Sequence, residues 1–377
     1  MQKVLAAGNL YAKGSAFGIR VLQRPRRRAG GGGTAVRKLG MTLFILTQGT
    51  YLHCQNDAVE IIIGGQEKGR IPVHNIDSIM CFGDTTVSTP FLAFCTKHGV
   101  TLSFLSERGQ FYGRLEGPRS GNILLRQQQF ASLYDVPFST HLVRNILYGK
   151  IGNSKLLLQH CAREQMDAKA KQRLQAAAEK LSEAAKSLQG CMTVDEMRGK
   201  EGAAASVYFS VFDDLLKTKD DLMRFEGRSR RPPANRSNAL LSFLYTLLKN
   251  DVQSALESVG LDPAAGYLHT LRPGRPALAL DMMEELRSPL CDRLALALIN
   301  RGQIQSSDFD AETPSFYLTD KARRTVLNAW GNRKNQVITH SFLKEKMEIG
   351  LVPFAQAQLL ARVLRGDLDE YPPFIWR

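Results

Sequence analysis

The first third of the chain has the hydrophobic pattern of a small β domain. Between positions 42 and 117, short runs of β-branched and aromatic residues alternate with turn residues, such as the pair Asn56 and Asp57 and the pair Gly64 and Gly65. Turn signals spaced ~8–12 residues apart are typical of short strands joined by tight connections. We therefore predict a β domain over 41–125. Only 90–98 is ambiguous, because its pattern also suits a short helix.

From about position 126 the pattern changes to a helical period. The segment 162–188 is rich in Ala, Lys, Glu and Gln, with apolar residues at every third or fourth position. It predicts a long solvated amphipathic helix or one arm of a helical hairpin. The segment 238–248 is apolar nearly all round and predicts a buried central helix. Helices are also predicted within 281–301 and 353–365. The predicted fold class is α+β multidomain, with a small N-terminal β domain and a larger all-α catalytic domain over 126–377.

Composition narrows the class of protein. Hydrophobic residues make up 44% of the 377-residue chain and charged residues 23%, which is ordinary for a globular protein. No run approaches the ~18 uninterrupted apolar residues that a membrane helix needs, so we expect no membrane association. The six cysteines contain no C-x-x-C pair, which argues against a zinc cluster and favours a reducing cytoplasm.

The formal net charge of +14 is concentrated at the N-terminus. Residues 1–40 hold nine of the 50 basic residues and none of the 36 acidic ones. Such a leader could be a transit peptide or a nucleic-acid-binding arm. The interpretation that we favour is a start assigned too early, with Met41 as the natural beginning, or a disordered tail. Because the rest of the chain is only mildly basic, any nucleic-acid argument must depend on local clusters.

Three positions place acid or imidazole groups among small and apolar neighbours. Glu201 is followed by a Gly- and Ala-rich run and is predicted to begin a helix that a ligand could approach closely. A Glu in a first helical turn would also serve the helix dipole without any function. His269 lies between an apolar segment and a proline-rich turn, where a structural histidine would fit equally well.

The third position is an acidic segment. Asp281 and Glu284 are three residues apart and share one helix face, with Glu285 beside them. Adjacent carboxylates repel each other unless a cation or a proton lies between them. An exposed acidic edge paired with Arg275 or Arg287 is the competing interpretation.

Taken together, the three positions predict a metal site. Two carboxylates and an imidazole suit Mg²⁺ or Mn²⁺ better than a thiolate-binding metal, and such an ion can activate water or a hydroxyl against a phosphodiester. Basic residues that could neutralise DNA phosphates, or simply form solvated faces, are Arg228, Arg230, Arg231, Arg236, Lys150, Arg323 and Arg324.

Several segments of the chain resemble a known family. The segments 201–209 (EGAAASVYF), 238–248 (NALLSFLYTLL), 266–269 (GYLH) and 281–287 (DMMEELR) look like the signature blocks of the CRISPR-associated "Cas one" integrases. The fifteen-residue separation of His269 and Glu284 also matches that family. The C-terminal YPPFIWR resembles its type I-C branch. The similarity covers essentially 41–377.

The resemblance implies a fold, an activity and partners. The β domain would form a homodimer, and two dimers would flank a dimer of the small "Cas two" protein in a heterohexameric complex. That complex would join the 3′-hydroxyl ends of double-stranded prespacer DNA to the CRISPR repeat. Glu201, His269 and Glu284 occupy the family's metal-ligand positions, and Asp281 matches a neighbouring acidic position.

By the same comparison, Tyr208, Asn238 and Tyr245 would line or brace the site. Two other functions remain open from the sequence: a non-catalytic nucleic-acid-binding scaffold, and a stand-alone repair nuclease for branched DNA. Convergence of the three ligands within ~2–2.6 Å of one point would distinguish an enzyme from a scaffold.

Overall fold

The structure, a computed structural model, describes residues 19–21, 41–106, 111–115, 117, 123–229, 233–312 and 315–376. By its internal contacts the chain divides into two compact units, Met1–Arg119 and Ser120–Arg377. Two of the predicted DNA-binding residues, Arg230 and Arg231, and most of the leader lie outside the described residues.

In its described residues, the first unit contains two sheets and one α-helix. Its strands, in chain order, are β1 (Ile19–Val21), β2 (Met41–Ile45), β3 (Thr50–Gln55), β4 (Ala58–Ile63), β5 (Gln66–Pro72), β6 (Ile76–Phe82), β7 (Thr85–Val87), β8 (Thr101–Leu105) and β9 (Phe111–Arg114). One sheet has the order β1-β2-β6-β8-β9, and the other has the order β5-β4-β3-β7. Strands β2, β6 and β8 run parallel, whereas β3, β4 and β5 form an antiparallel meander.

Local residue chemistry explains the meander. Asn56 and Asp57 both have positive φ angles of 47° and 54°, which is the conformation that a two-residue hairpin turn requires. Alternate residues of β3 and β4, such as Leu52, Val59 and Ile61, are fully buried in a core that also includes residues of β2, β6 and β8. The predicted β domain is therefore confirmed.

The ambiguous segment is a helix, α1 (Thr89–Lys97). The Ser88 hydroxyl accepts a hydrogen bond from the Phe91 amide, and Pro90 lies in the first turn, so the segment has a good helix start. Phe91 and Cys95, four residues apart, are both buried. Strand β1 pairs antiparallel with β2, Ile19 opposite Ile45. This short pairing was not foreseen, because the leader had been left out of the fold prediction.

The second unit consists mainly of helices: α2 (Ile123–Ser132), α3 (Val136–Glu164), α4 (Ala168–Ser187), α5 (Val194–Ser210), α6 (Arg236–Ser258), α7 (Ala277–Leu286), α8 (Arg293–Asn300), α9 (Asp320–Lys334) and α10 (Val352–Leu364). Helices α3 and α4 pack against each other as a helical hairpin, and α6 is the predicted buried helix. A π-helical segment, Arg287–Asp292, connects α7 to α8. The side chains of Asp135, Asp167 and Thr193 cap α3, α4 and α5.

The description of this unit as all-α was too coarse. Strands β10 (Phe309–Glu312) and β11 (Ser315–Leu318) form one antiparallel hairpin, and β12 (Val337–Thr339) and β13 (Lys346–Glu348) form another. Strands this short carry too few residues for a period of two to be recognised in the sequence. Among the described residues, no helix is both long enough and apolar enough to span a bilayer.

Candidate metal centre

The candidate ligands come from α5, from α7 and from the loop before α7; the two glutamates contact a residue of α3, and the histidine lies beside one of them. Glu201 lies in the middle of α5, not at its start as predicted, because Thr193 caps the helix and Asp195 and Glu196 occupy its first turn. The helix-dipole explanation of Glu201 therefore fails, since the favourable interaction is confined to the first turn.

A lysine links the two glutamates. Lys150, on α3, contacts Glu201 Oε1 through its Nζ, and the same Nζ lies 2.6 Å from Glu284 Oε2. The side chains are largely shielded from solvent, with exposed fractions of 14% for Lys150, 24% for Glu201 and 4% for Glu284. Lys150 had been predicted as a DNA-binding residue on a basic surface. The structure places its ammonium group between the two glutamates, and a contact with DNA stays a prediction.

Asp281 orients the histidine. Its Oδ1 lies 2.7 Å from His269 Nδ1 and accepts the His269 backbone N–H at 2.9 Å. Its Oδ2 accepts the backbone N–H groups of Tyr267 and Leu268 at 2.6 and 2.9 Å. Asp281 is fully buried, so these four contacts hold the loop and the imidazole ring as one unit. A carboxylate behind a histidine in this way fixes the tautomer with hydrogen on Nδ1.

The other ring nitrogen of His269, Nε2, faces Glu284. His269 Nε2 lies 3.9 Å from Glu284 Oε1, and the Arg287 guanidinium lies 2.9 Å from the same oxygen. Burial raises the pKa of Glu284, but the charges of Arg287 and Lys150 outweigh burial and lower that pKa to about 2. Glu284 is therefore ionised at neutral pH, as a metal-ligating carboxylate must be.

The donor set fits a hard divalent cation, although the side chains are arranged around Lys150. Among the described residues, no three His, Cys, Asp or Glu side chains already stand close enough to form a metal site. The Lys150 ammonium group lies between Glu201 and Glu284. Two ligands ~2.0–2.6 Å from one ion can be up to about 5 Å apart, which accommodates the 3.9 Å from His269 Nε2 to Glu284 Oε1. Glu284 Oε2 is buried and makes no hydrogen bond of normal geometry, despite its ion pair with Lys150.

Two predicted tyrosines form the wall of a small adjoining cleft of about 30 Å³. The hydroxyls of Tyr208 and Tyr245 donate to the two carboxylate oxygens of Asp292, at 2.9 and 2.7 Å. Burial raises the pKa of Asp292, which lies in the π-helical segment. Arg287 stacks over the Tyr245 ring at 4.9 Å. We had not singled out Asp292, and no local signal in the sequence marks it.

Asn238 lies outside the cleft that Tyr208 and Tyr245 line. Its side-chain oxygen accepts a hydrogen bond from Arg228 at 2.7 Å, and its amide donates to the Gly227 carbonyl at 2.7 Å. It therefore braces the loop that precedes α6 and does not line the cleft described above. Arg228 itself stacks over Tyr245 at 5.3 Å.

The other predicted DNA-binding arginines differ in exposure. Arg323 is buried and paired with Asp320, and Arg236 stacks on the Phe316 ring at 4.6 Å. Arg324 is exposed. Of the described arginines in the predicted set, Arg324 is thus the most accessible to a phosphate backbone.

Comparison with known proteins identifies the fold class and the family. The fold is similar to that of a Cas1 protein from Thermotoga maritima (TM-score 0.75, 24% identity, covering 87% of this chain and 97% of that one). It is also similar to a casposase bound to an integration product (TM-score 0.75, 22% identity, covering 87% and 92%).

Sequence comparison is more specific. The family model described as CRISPR associated protein Cas1 matches residues 43–332. The chain is 48% identical over 337 residues to a CRISPR-associated endonuclease Cas1 of Chlorobaculum tepidum, covering 89% of this chain and 98% of the relative. It is 46% identical over 348 residues to one of Rhodospirillum rubrum, covering 91% and 100%. The chain belongs to the CRISPR-associated Cas1 family. The resemblance to the type I-C branch stays a prediction.

Proposed function

We propose that this protein is a metal-dependent DNA endonuclease and integrase of CRISPR adaptation, which joins prespacer 3′-hydroxyl ends to the CRISPR repeat by transesterification. The observation that supports the proposal is that Glu201 and Glu284 both contact the Lys150 ammonium group, while His269 Nε2 lies 3.9 Å from Glu284 Oε1. The names of the relatives, CRISPR-associated endonuclease Cas1, support the same activity.

In this proposal each residue has a definite task. Carboxylate oxygens of Glu201 and Glu284 and the Nε2 atom of His269 would hold Mg²⁺ or Mn²⁺. The bound ion would polarise the phosphodiester and make a 3′-hydroxyl or water more acidic. Asp281 keeps the hydrogen of His269 on Nδ1, so that the Nε2 lone pair is available. Arg287 keeps Glu284 ionised.

The proposed partners are double-stranded prespacer and repeat DNA, a second copy of this chain, and the small Cas2 protein in a heterohexameric complex. A neighbour in fold comes from a complex titled Cas6-RT-Cas1–Cas2 (TM-score 0.76, 22% identity, covering 92% of this chain and 37% of that chain), and the casposase neighbour is bound to an integration product. We assign dimerisation to the β domain. Arg324 is the described arginine that we expect to contact phosphate.

The decisive experiment compares Glu201→Gln with Glu196→Gln, an exposed glutamate on the same helix whose side chain accepts the Met192 N–H. Both proteins are assayed with Mn²⁺ or Mg²⁺ and the partner protein, for joining of a 3′-hydroxyl duplex to a repeat-containing plasmid. We expect Glu201→Gln to lose at least about 10²-fold in joining rate, as expected for loss of a directly catalytic electrostatic group, and to bind DNA normally. Glu196→Gln should match the wild type.

Other results would favour the competing functions. A wild-type protein that binds DNA but neither cuts nor joins it in any metal would be a scaffold. Metal-dependent cleavage of branched DNA, without joining in the presence of the partner, would indicate a stand-alone nuclease. Normal joining by Glu201→Gln would remove Glu201 from the site.

A further inference from the structure

Lys150 stands between two carboxylates that come from different helices. Lys150 belongs to α3 and contacts Glu201 of α5 and Glu284 of α7. Its side chain is only 14% exposed, so water screens these interactions poorly. Within the described part of the chain, Lys150 is the cation that pairs with Glu201, whereas Glu284 also pairs with Arg287.

Glu201 and Glu284 both contact the same ammonium group, and two carboxylates this close need a positive charge between them. Without one, two shielded carboxylates would repel each other or take up a proton. Lys150 provides that charge from within the protein, at the position where the proposed metal ligands meet. The arrangement lets Glu201 stay close to Glu284 when no metal is bound.

An ammonium group and a divalent ion cannot share this position. Both are cations, and their repulsion at contact distance is strong in a shielded site. The four-carbon chain of Lys150 is flexible. Together with Ser154 and Tyr208, Lys150 lines a cleft of about 30 Å³, which is room for one water-sized group such as an ammonium. This cleft is therefore the space available to a displaced ammonium group.

We propose that Lys150 is a built-in counter-cation of the acidic site: it holds Glu201 and Glu284 together in the metal-free protein, and metal binding displaces it into the cleft. The inference depends on the proposed function, since it takes Glu201 and Glu284 as metal ligands. It assigns Lys150 a task that a residue on a DNA-binding surface would not have, namely competition with the metal.

The test measures metal binding by the full-length protein in the absence of DNA. Mn²⁺ affinity is determined by calorimetry for the wild type, Lys150→Met and Lys150→Arg. The control is Lys334→Met, because Lys334 is equally shielded (15% exposed) and pairs with a single carboxylate, Asp251, at 2.8 Å. We expect Lys150→Met to bind Mn²⁺ about tenfold or more tightly than the wild type, within the range by which groups around ligands change metal affinity. Lys150→Arg should not gain affinity, and Lys334→Met should match the wild type.

A second measurement covers the case in which Lys150→Met is unstable. Its melting temperature in chelator should fall below that of the wild type, and saturating Mn²⁺ should raise it by more than it raises that of the wild type. A Lys150→Met protein with wild-type or weaker Mn²⁺ affinity, and no larger thermal shift, would overturn the inference. Failure of the wild type itself to bind Mn²⁺ would instead refute the proposed function.

Discussion

The substitution Asp281→Asn removes one charge and one acceptor from a group with four donors around it. Oδ2 accepts from the Tyr267 and Leu268 amides, and Oδ1 from the His269 amide and ring. An asparagine has only one acceptor oxygen and an NH₂ group in place of the other. Because Asp281 is fully buried, no water can replace the lost acceptor, and both orientations of the new amide are unfavourable.

In the first orientation the NH₂ group replaces Oδ2. The Tyr267 and Leu268 amides then face a donor, and each buried donor without an acceptor costs about 1–3 kcal/mol, so the loss is roughly 2–6 kcal/mol. In the second orientation the NH₂ group replaces Oδ1 and leaves one amide unsatisfied, at about 1–3 kcal/mol. It can then donate to His269 Nδ1 only if the ring hydrogen moves to Nε2. The imidazole would lose the lone pair that faces Glu284.

We therefore expect Asp281→Asn to lower the free energy of unfolding by at least about 1 kcal/mol and Mn²⁺ affinity by roughly 10- to 100-fold. Urea denaturation and calorimetric titration of the folded protein measure the two quantities separately. A useful control is Asp262→Asn, because the Asp262 side chain accepts the exposed Ala264 amide at 2.9 Å in a loop of the same unit. A folded Asp281→Asn protein with wild-type Mn²⁺ affinity would refute the role of Asp281 in orienting His269.

Three further predictions concern other charged residues of the second unit. Burial raises the pKa of Glu285 to about 7, so the folded protein holds a proton on Glu285 that the unfolded chain releases above pH ~4.5. The free energy of unfolding should therefore fall, by up to about 3 kcal/mol, as the pH rises from about 4.5 to 7. In urea denaturation at pH 5 and pH 8, Glu285→Gln should show a smaller fall than the wild type. Arg287→Met leaves the buried Glu284 with one cation fewer and should cost about 3–5 kcal/mol in urea denaturation; a cost below about 1 kcal/mol would contradict the buried pair. Arg324→Ala should reduce the slope of log affinity for DNA against log salt concentration by about one unit. Arg323→Ala removes a buried side chain, so it should lower the melting temperature and leave that slope unchanged. Equal slopes for the wild type and Arg324→Ala would show that Arg324 does not contact DNA.

Much of the fold was predictable from residue patterns. Turn residues such as Asn56 and Asp57 act through their own backbone preference, and the apolar run of α6 records burial on every face, so both signals are local. The helix α1 was ambiguous because nine residues with a mixed pattern satisfy two periods. The hairpins of the second unit were missed because three- and four-residue strands are stabilised by pairing with each other and have little pattern of their own.

The candidate site was predictable in part. Residue type identified Glu201, His269 and Glu284, and helical spacing placed Asp281 and Glu284 on one face. The roles of single residues were harder to predict. Glu201 was assigned to a helix start, whereas that helix begins at Val194 after its cap, Thr193. Lys150 and Arg323 were both predicted to bind DNA, yet Lys150 lies between two carboxylates, and Arg323 is buried and paired with Asp320.

The sequence by itself determined which residue types are present and which elements they form, because turn chemistry, capping and amphipathic period act between residues a few positions apart. Only the tertiary structure decided which charges face each other. Lys150 lies 51 residues from Glu201 along the chain and 134 from Glu284, yet its ammonium contacts both acids. Electrostatic interactions depend on distance and burial in space, and the packing of α3 against α5 and α7 sets both quantities.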